Sequence, residues 1–177
     1  KTIANLFPVS KTLLGIDANE ENYLGLAKEK FKYIVFATHA LNAGELIDSN
    51  YSGLALTPNE HSDGLLTALE IAESPIQAEL VSLAACSTAS ASKLGRDAFS
   101  GVVEGFIRAG ARSVLYTLWP VFSETTKEIN ISVFENMQNG QSPDLALSKS
   151  INEYLDSDLE AWEYNPLVWG AYGLIGY

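Results

Sequence analysis

The chain has 177 residues, of which 47% are hydrophobic and 19% charged, and these proportions are typical of one globular domain with a core of its own. The net charge of −11 argues against a nucleic-acid partner, because such a surface does not neutralise phosphates. No apolar run reaches the ~18–20 residues of a membrane span and no secretory signal opens the sequence, so no membrane partner is expected. The single cysteine excludes an internal disulfide and indicates a reducing, cytoplasmic setting.

Strands and helices alternate along most of the chain, and several of their ends are marked by particular residues. An apolar stripe spaced i, i+3, i+4, i+7 and i+8 from Phe99 predicts a helix that Gly110 closes. Ser123 is expected to cap the next helix, and Ser142 followed by Pro143 predicts the start of another. In chain order the predicted elements are a helix over 20–30, strands over 33–37 and 54–57, a turn over 58–64, a helix over 65–72, a strand over 80–85, a helix over 97–109, a strand over 113–119, helices over 124–138 and 143–155, and a strand over 169–175.

This alternation predicts an α/β sandwich around a mainly parallel sheet. No repeat, low-complexity tract or linker divides the sequence, so residues 1–177 are expected to form a single domain. The chain does not begin with methionine, and we expect it to be a fragment of a longer protein. Ligands of such sheets bind at the carboxyl ends of the strands, where functional residues are therefore sought.

Cys86 and His39 each follow an apolar run that is predicted to be a strand. If the two strands are parallel neighbours, the thiol and the imidazole emerge at the same edge of the sheet. A thiolate attacks carbonyl carbon, and a nearby imidazole accepts the thiol proton and donates to the leaving amine, so the pair favours a cysteine–histidine hydrolase. Each residue alone has a simpler interpretation, because free cysteines are common in cores and histidines at strand ends are often only hydrogen-bonded.

The remaining polar candidates carry weaker signals. His61 lies beside Asp63 in a turn-rich loop and is expected to be solvated. A metal site formed by His39, His61 and a carboxylate lacks the helical spacing of metal ligands, so no metal is predicted. Ser87 has no glycine elbow around it, and the sequence contains no glycine-rich phosphate loop. A nucleotide-binding domain is therefore a weaker alternative, and no cofactor is expected.

Several sequence blocks occur in an order that is specific to one family. They are Phe36–Leu41, Gly44–Leu46, Leu54–Thr57, Asp63–Thr67, Leu83–Ala89, Phe106–Val114, Leu118–Val121 and Asn165–Trp169. In these blocks the chain, from about Tyr33 to Gly176, resembles the CHAT domain family, a caspase-like and separase-related group of cysteine peptidases.

The resemblance implies a fold, an activity and a set of site residues. The implied fold is a caspase-like three-layer α/β/α sandwich around a mainly parallel sheet, and the implied activity is that of a cysteine endopeptidase with a catalytic dyad. His39 matches the family histidine and Cys86 the family cysteine, and the backbone N–H groups of Ala40 and Cys86 would form the oxyanion site. Ala40 stands where many members have glycine. The family's first strand and helix have no counterpart before residue 1, so the sheet is expected to lack its N-terminal strand.

The resemblance also implies partners. Family members hydrolyse peptide bonds, often within longer chains that carry helical repeats and often under the control of a partner. A protein or peptide substrate, with a helical-repeat regulatory region or an activating partner, is therefore expected. The alternative is a catalytically inactive or partner-dependent interaction module that retains the dyad residues. Glu45, Asp48 and Asp63 lie near the predicted strand ends and make a basic residue before the scissile bond one hypothesis.

Overall fold

The computed structural model describes residues 3–41, 51–84 and 95–176, the first six residues of the last range by their backbone alone. In these ranges the chain forms a mixed sheet and a small antiparallel sheet. The strands are β1 (Tyr33–Phe36), β2 (Ala40–Leu41), β3 (Gly53–Ala55), β4 (Leu65–Thr67), β5 (Leu80–Leu83), β6 (Ser113–Thr117) and β7 (Tyr172–Gly176). The helices are α1 (Glu20–Ala27), α2 (Ala68–Ala72), α3 (Gly95–Ala109), α4 (Ser123–Gln138), α5 (Pro143–Leu155) and α6 (Pro166–Trp169), and short 3₁₀ helices cover Ile3–Leu6 and Gly15–Asp17.

The mixed sheet has the strand order β1-β5-β6-β7. β1, β5 and β6 run parallel, and β7 is antiparallel to β6. In the register of β1 and β5, Tyr33 lies opposite Leu80 and Phe36 lies opposite Leu83. The prediction of a mainly parallel sheet, with β1 and β5 as neighbours, is therefore confirmed.

Helices cover both faces of this sheet. Successive side chains of a strand point to opposite faces, and in β1 both sets are apolar, so each face packs against helices. Ile34 and Phe36 of β1 pack in a cluster with residues of α1, α2 and α3. Tyr33 and Val35 of the same strand pack in a second cluster with residues of α4 and α5. The result is the three-layer α/β/α sandwich of the caspase-like fold, as predicted.

A buried polar contact joins the centre of the sheet to α4. The Ser82 hydroxyl donates a hydrogen bond to Oδ1 of Asn130 at 2.7 Å, and Nδ2 of Asn130 donates to the carbonyl of Thr126 at 2.8 Å. Ser82 and Asn130 are both buried, and these bonds satisfy groups whose burial would otherwise be costly. The contact therefore fixes α4 against one position of β5.

The small sheet follows the end of β1 and has the strand order β2-β3-β4. All of its pairings are antiparallel, and the central Leu54 lies opposite Ala40 on one side and Leu66 on the other. Leu54 and Leu66 are fully buried, so this sheet packs onto the core rather than projecting from it. The turn predicted over residues 58–64 connects β3 to β4 and ends at Gly64, whose φ of +85° favours glycine.

The segment Leu65–Thr67 is a strand and not the first turn of a helix, so the sequence prediction was wrong there. Its backbone pairs with β3, and burial of Leu66 in that pairing outweighs the local helical pattern. The helix begins after Thr67 in a capping box. The Thr67 hydroxyl accepts the N–H of Glu70 at 3.3 Å, and the Glu70 carboxylate accepts the N–H of Thr67 at 2.8 Å.

The start of the last strand and the cap of α4 also differ from their predictions. The last strand was predicted over residues 169–175, but it spans only Tyr172–Gly176. Trp169 instead ends helix α6, which Asn165 caps. Pro166 suits the first turn of α6 because its missing N–H is not needed there. Ser123 is the first residue of α4 and not its cap; Phe122 holds the cap position and makes no side-chain hydrogen bond there.

Most helix ends match their local sequence. Asn19 caps α1 by accepting the N–H of Asn22 at 2.9 Å, and Gly110 follows α3 with a φ of +114°, as predicted.

Among the described elements α4 is the longest helix, with 16 residues. None of the helices in the described ranges combines the length and the apolar character that crossing a membrane demands.

Candidate active site

The carboxyl ends of β1 and β5 lie side by side, which is the geometry that the candidate dyad requires. Phe36 and Leu83 are partners at these ends, and His39 and Cys86 each come three residues later in the sequence. Paired strands are about 4.8 Å apart, so the two strand exits are close neighbours. Cys86 and its N–H, together with Ser87, lie outside the described residues.

His39 is exposed and joins β1 to the small sheet. Its backbone carbonyl accepts a hydrogen bond from the N–H of Ala55 at 2.8 Å. The hydroxyl of the preceding Thr38 donates to the carbonyl of the same Ala55. Ala55 of β3 thus contacts the Thr38 side chain on one side of His39 and the His39 carbonyl on the other, while His39 itself remains exposed to solvent.

Ala40 is buried, begins β2 and lies opposite Leu54. The bond from Ala55 N–H to the His39 carbonyl flanks this pair, so Ala40 and Leu54 form a non-hydrogen-bonded pair of the antiparallel ladder. The N–H of Ala40 consequently points away from β3 and takes no part in the β2–β3 ladder. A backbone donor with this orientation, directly after a histidine, can serve an oxyanion.

The β3–β4 hairpin behind His39 is tied to the start of α1. The carboxylate of Glu20 accepts the N–H of Gly64 at 2.7 Å, and the N–H of Thr57 donates to the carbonyl of Ala18 at 2.8 Å. Glu20 is buried, and desolvation raises the pKa of its carboxyl above the usual value, although the hydrogen bond from Gly64 opposes this change. β3, which holds His39 through Ala55, is therefore itself anchored just beyond Ala55.

His61 and Asp63, which the sequence also singled out, lie in the turn between β3 and β4 and not at the ends of β1 and β5. His61 is exposed in the hairpin turn, where its backbone N–H donates to Oδ1 of Asn59 at 2.8 Å. Asp63 is also exposed, and its carboxylate accepts the N–H of Leu65 at 2.8 Å, which is the contact of a turn residue. Glu45 and Asp48 lie outside the described residues. Over the described ranges, no group of three histidine, cysteine, aspartate or glutamate side chains could hold a metal ion.

Sequence reasoning does not identify Thr38 and Ala55 as parts of the site. Their contact joins residues 17 positions apart, so no local pattern announces it. The available signal is that Thr38 is a hydroxyl residue immediately before His39 at the end of an apolar run.

The family model of the CHAT domain matches residues 1–177, the whole chain. The chain belongs to the CHAT domain family. It is also similar to human Tetratricopeptide repeat protein 28, with 30% identity over 112 residues, or 63% of this chain. The CHAT chain corresponds to 4% of the length of that curated relative. The CHAT fold is caspase-like and the family is related to cysteine peptidases, in agreement with the three layers and the parallel sheet described above.

Proposed function

We propose that this CHAT domain is a cysteine endopeptidase in which Cys86 is the nucleophile and His39 is the general base and acid. The observation that carries the proposal is the parallel register of β1 and β5, since the pair Phe36 and Leu83 precedes both dyad residues by the same number of positions. Membership of a family related to cysteine peptidases supports the same chemistry.

The reaction begins when the imidazole of His39 accepts the thiol proton of Cys86. The thiolate attacks the carbonyl carbon of the scissile peptide bond, and the resulting tetrahedral intermediate collapses as its C–N bond breaks. The imidazolium of His39 donates its proton to the departing amine and leaves a thioester on Cys86. His39 then accepts a proton from water, whose oxygen attacks the thioester and releases the second product.

The negative charge on the carbonyl oxygen needs donors that are fixed in advance. In this proposal the N–H groups of Ala40 and Cys86 supply them. The pairing of Ala40 with Leu54 supports the role of the first donor, because it directs that N–H away from the β2–β3 ladder. The methyl side chain of Ala40 leaves room for a substrate backbone to approach.

The setting of the activity belongs to the same proposal. A reducing cytoplasm keeps the lone Cys86 in its thiol form, and the net charge of −11 attracts basic protein substrates at long range. The similarity to a tetratricopeptide repeat protein supports a helical-repeat region as the regulatory partner.

Substitution of the dyad tests the proposal directly. Cys86→Ala should abolish cleavage of a peptide library while circular dichroism shows a folded domain. His39→Ala should lower the cleavage rate by roughly 100-fold or more, because acid–base catalysis contributes about 10²–10⁴. The matched control is His61→Ala, which changes the chain's other histidine at an exposed turn and should cleave at the unaltered rate.

A thiol-reactive peptide probe provides a second readout. Because Cys86 is the only cysteine, the probe reports on this residue alone. Labelling should fall in His39→Ala and persist in His61→Ala. Cleavage that survives Cys86→Ala would contradict the proposal. A probe that labels Cys86 equally in the unaltered chain, His39→Ala and His61→Ala, without cleavage of any peptide, would favour a non-catalytic interaction module.

A further inference from the structure

An exposed apolar surface lies next to the carboxyl end of β6. Its residues come from the segment after β6, the loop before α6 and α6 itself, and each is more than half exposed, an unusual state for several large apolar residues on neighbouring segments. We call it the aromatic surface; it consists of Leu118 (57% exposed), Phe122 (58%), Trp162 (52%), Tyr164 (51%) and Leu167 (65%).

The aromatic surface is held in place by contacts around it. The rings of Phe122 and Trp162 meet edge to face with their centroids 5.1 Å apart. Nε1 of Trp119 donates to the carbonyl of Leu167 at 2.8 Å, and Nε1 of Trp169 donates to the carbonyl of Tyr164 at 3.2 Å. The loop before α6 and the loop after β6 are therefore joined, and the exposed rings are ordered before any partner binds.

The position of this surface in the sheet is continuous with the candidate dyad. β6 is the neighbour of β5, and Ser82 lies opposite Leu115. Trp119 follows Leu115 by four residues, which is also the sequence distance from Ser82 to Cys86. One strand spacing, about 5 Å, separates β6 from β5, which leads to the nucleophile, and two spacings, about 10 Å, separate β6 from β1. An extended peptide covers these distances in about two to three residues.

The charge around the aromatic surface is negative. Residues 156–177 contain Asp156, Asp158, Glu160 and Glu163, and no lysine or arginine. The one cation of helix α4, Lys127, pairs with Glu124 at 3.1 Å. The Glu163 carboxylate accepts the Tyr154 hydroxyl at 3.4 Å and the N–H of Glu160 at 2.8 Å and keeps its negative charge in both contacts. Exposed aromatic rings beside an excess of carboxylates favour basic side chains, both by charge and by cation–π attraction.

We propose that the aromatic surface is the specificity-determining subsite for an extended substrate peptide that carries a large apolar side chain beside a lysine or arginine, about two to three residues from the scissile bond. The apolar side chain packs on Phe122 and Trp162, and the basic residue faces the carboxylates of the loop before α6. This assignment rests on the proposed peptidase function and adds a substrate class to it.

The test uses matched peptides and two surface variants. One peptide carries leucine next to lysine at the proposed position; in two others serine replaces the leucine or glutamate replaces the lysine. Trp162→Ala should lower kcat/KM for the first peptide about tenfold, mainly through KM, and leave the serine peptide unchanged. Glu160→Lys keeps the rings and should remove the preference for lysine over glutamate. Leu69→Ala, an equally exposed apolar residue on α2, is the control and should change neither preference.

Binding of fluorescent forms of the same peptides to Cys86→Ala separates this inference from the proposed function, because it needs no catalysis. If cleavage occurs but neither surface variant alters peptide preference or binding, the inference is overturned while the peptidase assignment stands. If Trp162→Ala weakens binding although the unaltered chain cleaves nothing, the subsite stands and the peptidase assignment fails. A dimer that Trp162→Ala dissociates in sedimentation, without any change in peptide binding, identifies a second copy as the occupant and also overturns the inference.

Discussion

At the buried Glu20, a single carboxyl group has a raised pKa, and this makes the stability of the domain depend on pH. Its carboxylate is buried at the junction of α1 and the β3–β4 hairpin, where it accepts the N–H of Gly64. Burial raises the pKa of Glu20 above its ordinary value of 4.5. Since the folded state favours the protonated form, the contribution of Glu20 to stability is complete below about pH 4.5 and is lost as the pH rises through the folded-state pKa.

Glu20→Gln should therefore stabilise the domain at neutral pH relative to the unaltered chain. The glutamine oxygen still accepts the N–H of Gly64, while the cost of burying a charge disappears. We expect the difference in melting temperature between the two proteins to be small near pH 4.5 and to grow towards pH 7.5, measured by circular dichroism. Glu21→Gln, an exposed neighbour in the same helical turn, is the control. An advantage of Glu20→Gln that shrinks with rising pH would contradict this account.

At the scale of elements, close packing of α2 against α3 holds the layer behind the small sheet. The two helices meet at Gly105, where an added Cβ would lie 2.7 Å from the backbone oxygen of Ala68 and 3.3 Å from Cγ2 of Ile71. Ile71 is fully buried and does not yield easily. Gly105 is thus required by its neighbour and not by its own backbone conformation.

Gly105→Ala should lower the free energy of unfolding by about 1–3 kcal/mol, because the overpacking cost exceeds the gain in helix propensity. The matched control is Gly25→Ala in α1, where an added Cβ meets nothing within 4 Å. That substitution should raise the free energy of unfolding by about 0.5–1 kcal/mol. Urea denaturation measures both values, and equal gains at the two sites would refute the close approach at Gly105.

For the molecule as a whole, the excess of negative charge opposes compaction. The net charge is −11, and exposed ion pairs such as Lys11–Glu29 and Arg108–Glu104 offset little of it, since such pairs contribute little in water. Self-repulsion of this kind is long-range and therefore sensitive to salt. The four acidic residues of the segment 156–163, beside the aromatic surface, are part of this excess.

Raising the NaCl concentration from about 10 to 150 mM should raise the melting temperature by roughly 2–4 °C, the change expected for about 1 kcal/mol of relieved repulsion in a domain of this size. Sucrose at matched osmolality is the control for general solute exclusion, and it should produce a smaller shift at these concentrations. A melting temperature that falls with NaCl would show that attractive ion pairs dominate the electrostatics instead.

The sequence by itself determined most of the element types, the layer architecture and the family. Continuous apolar runs such as Tyr33–Phe36 mark strands that are buried on both faces, and an apolar stripe ending at Gly110 marks a helix with one buried face. Each of these signals lies within one short segment of sequence, so it can be recognised without knowing which segments pack together. The register of β1 and β5 then confirmed that the two strands leading to His39 and Cys86 are parallel neighbours, while the dyad itself stays a prediction.

Only the tertiary structure decided features that depend on distant partners. Leu65–Thr67 is a strand because β3 lies beside it, and the N–H of Ala40 is free of the β2–β3 ladder because of the phase in which β2 pairs with β3. Phe122 and Trp162 form one surface although 40 residues separate them in the sequence. The physical reason is common to all three: pairing and packing between distant segments are set by the energy of the whole core and leave no periodic pattern in the local sequence.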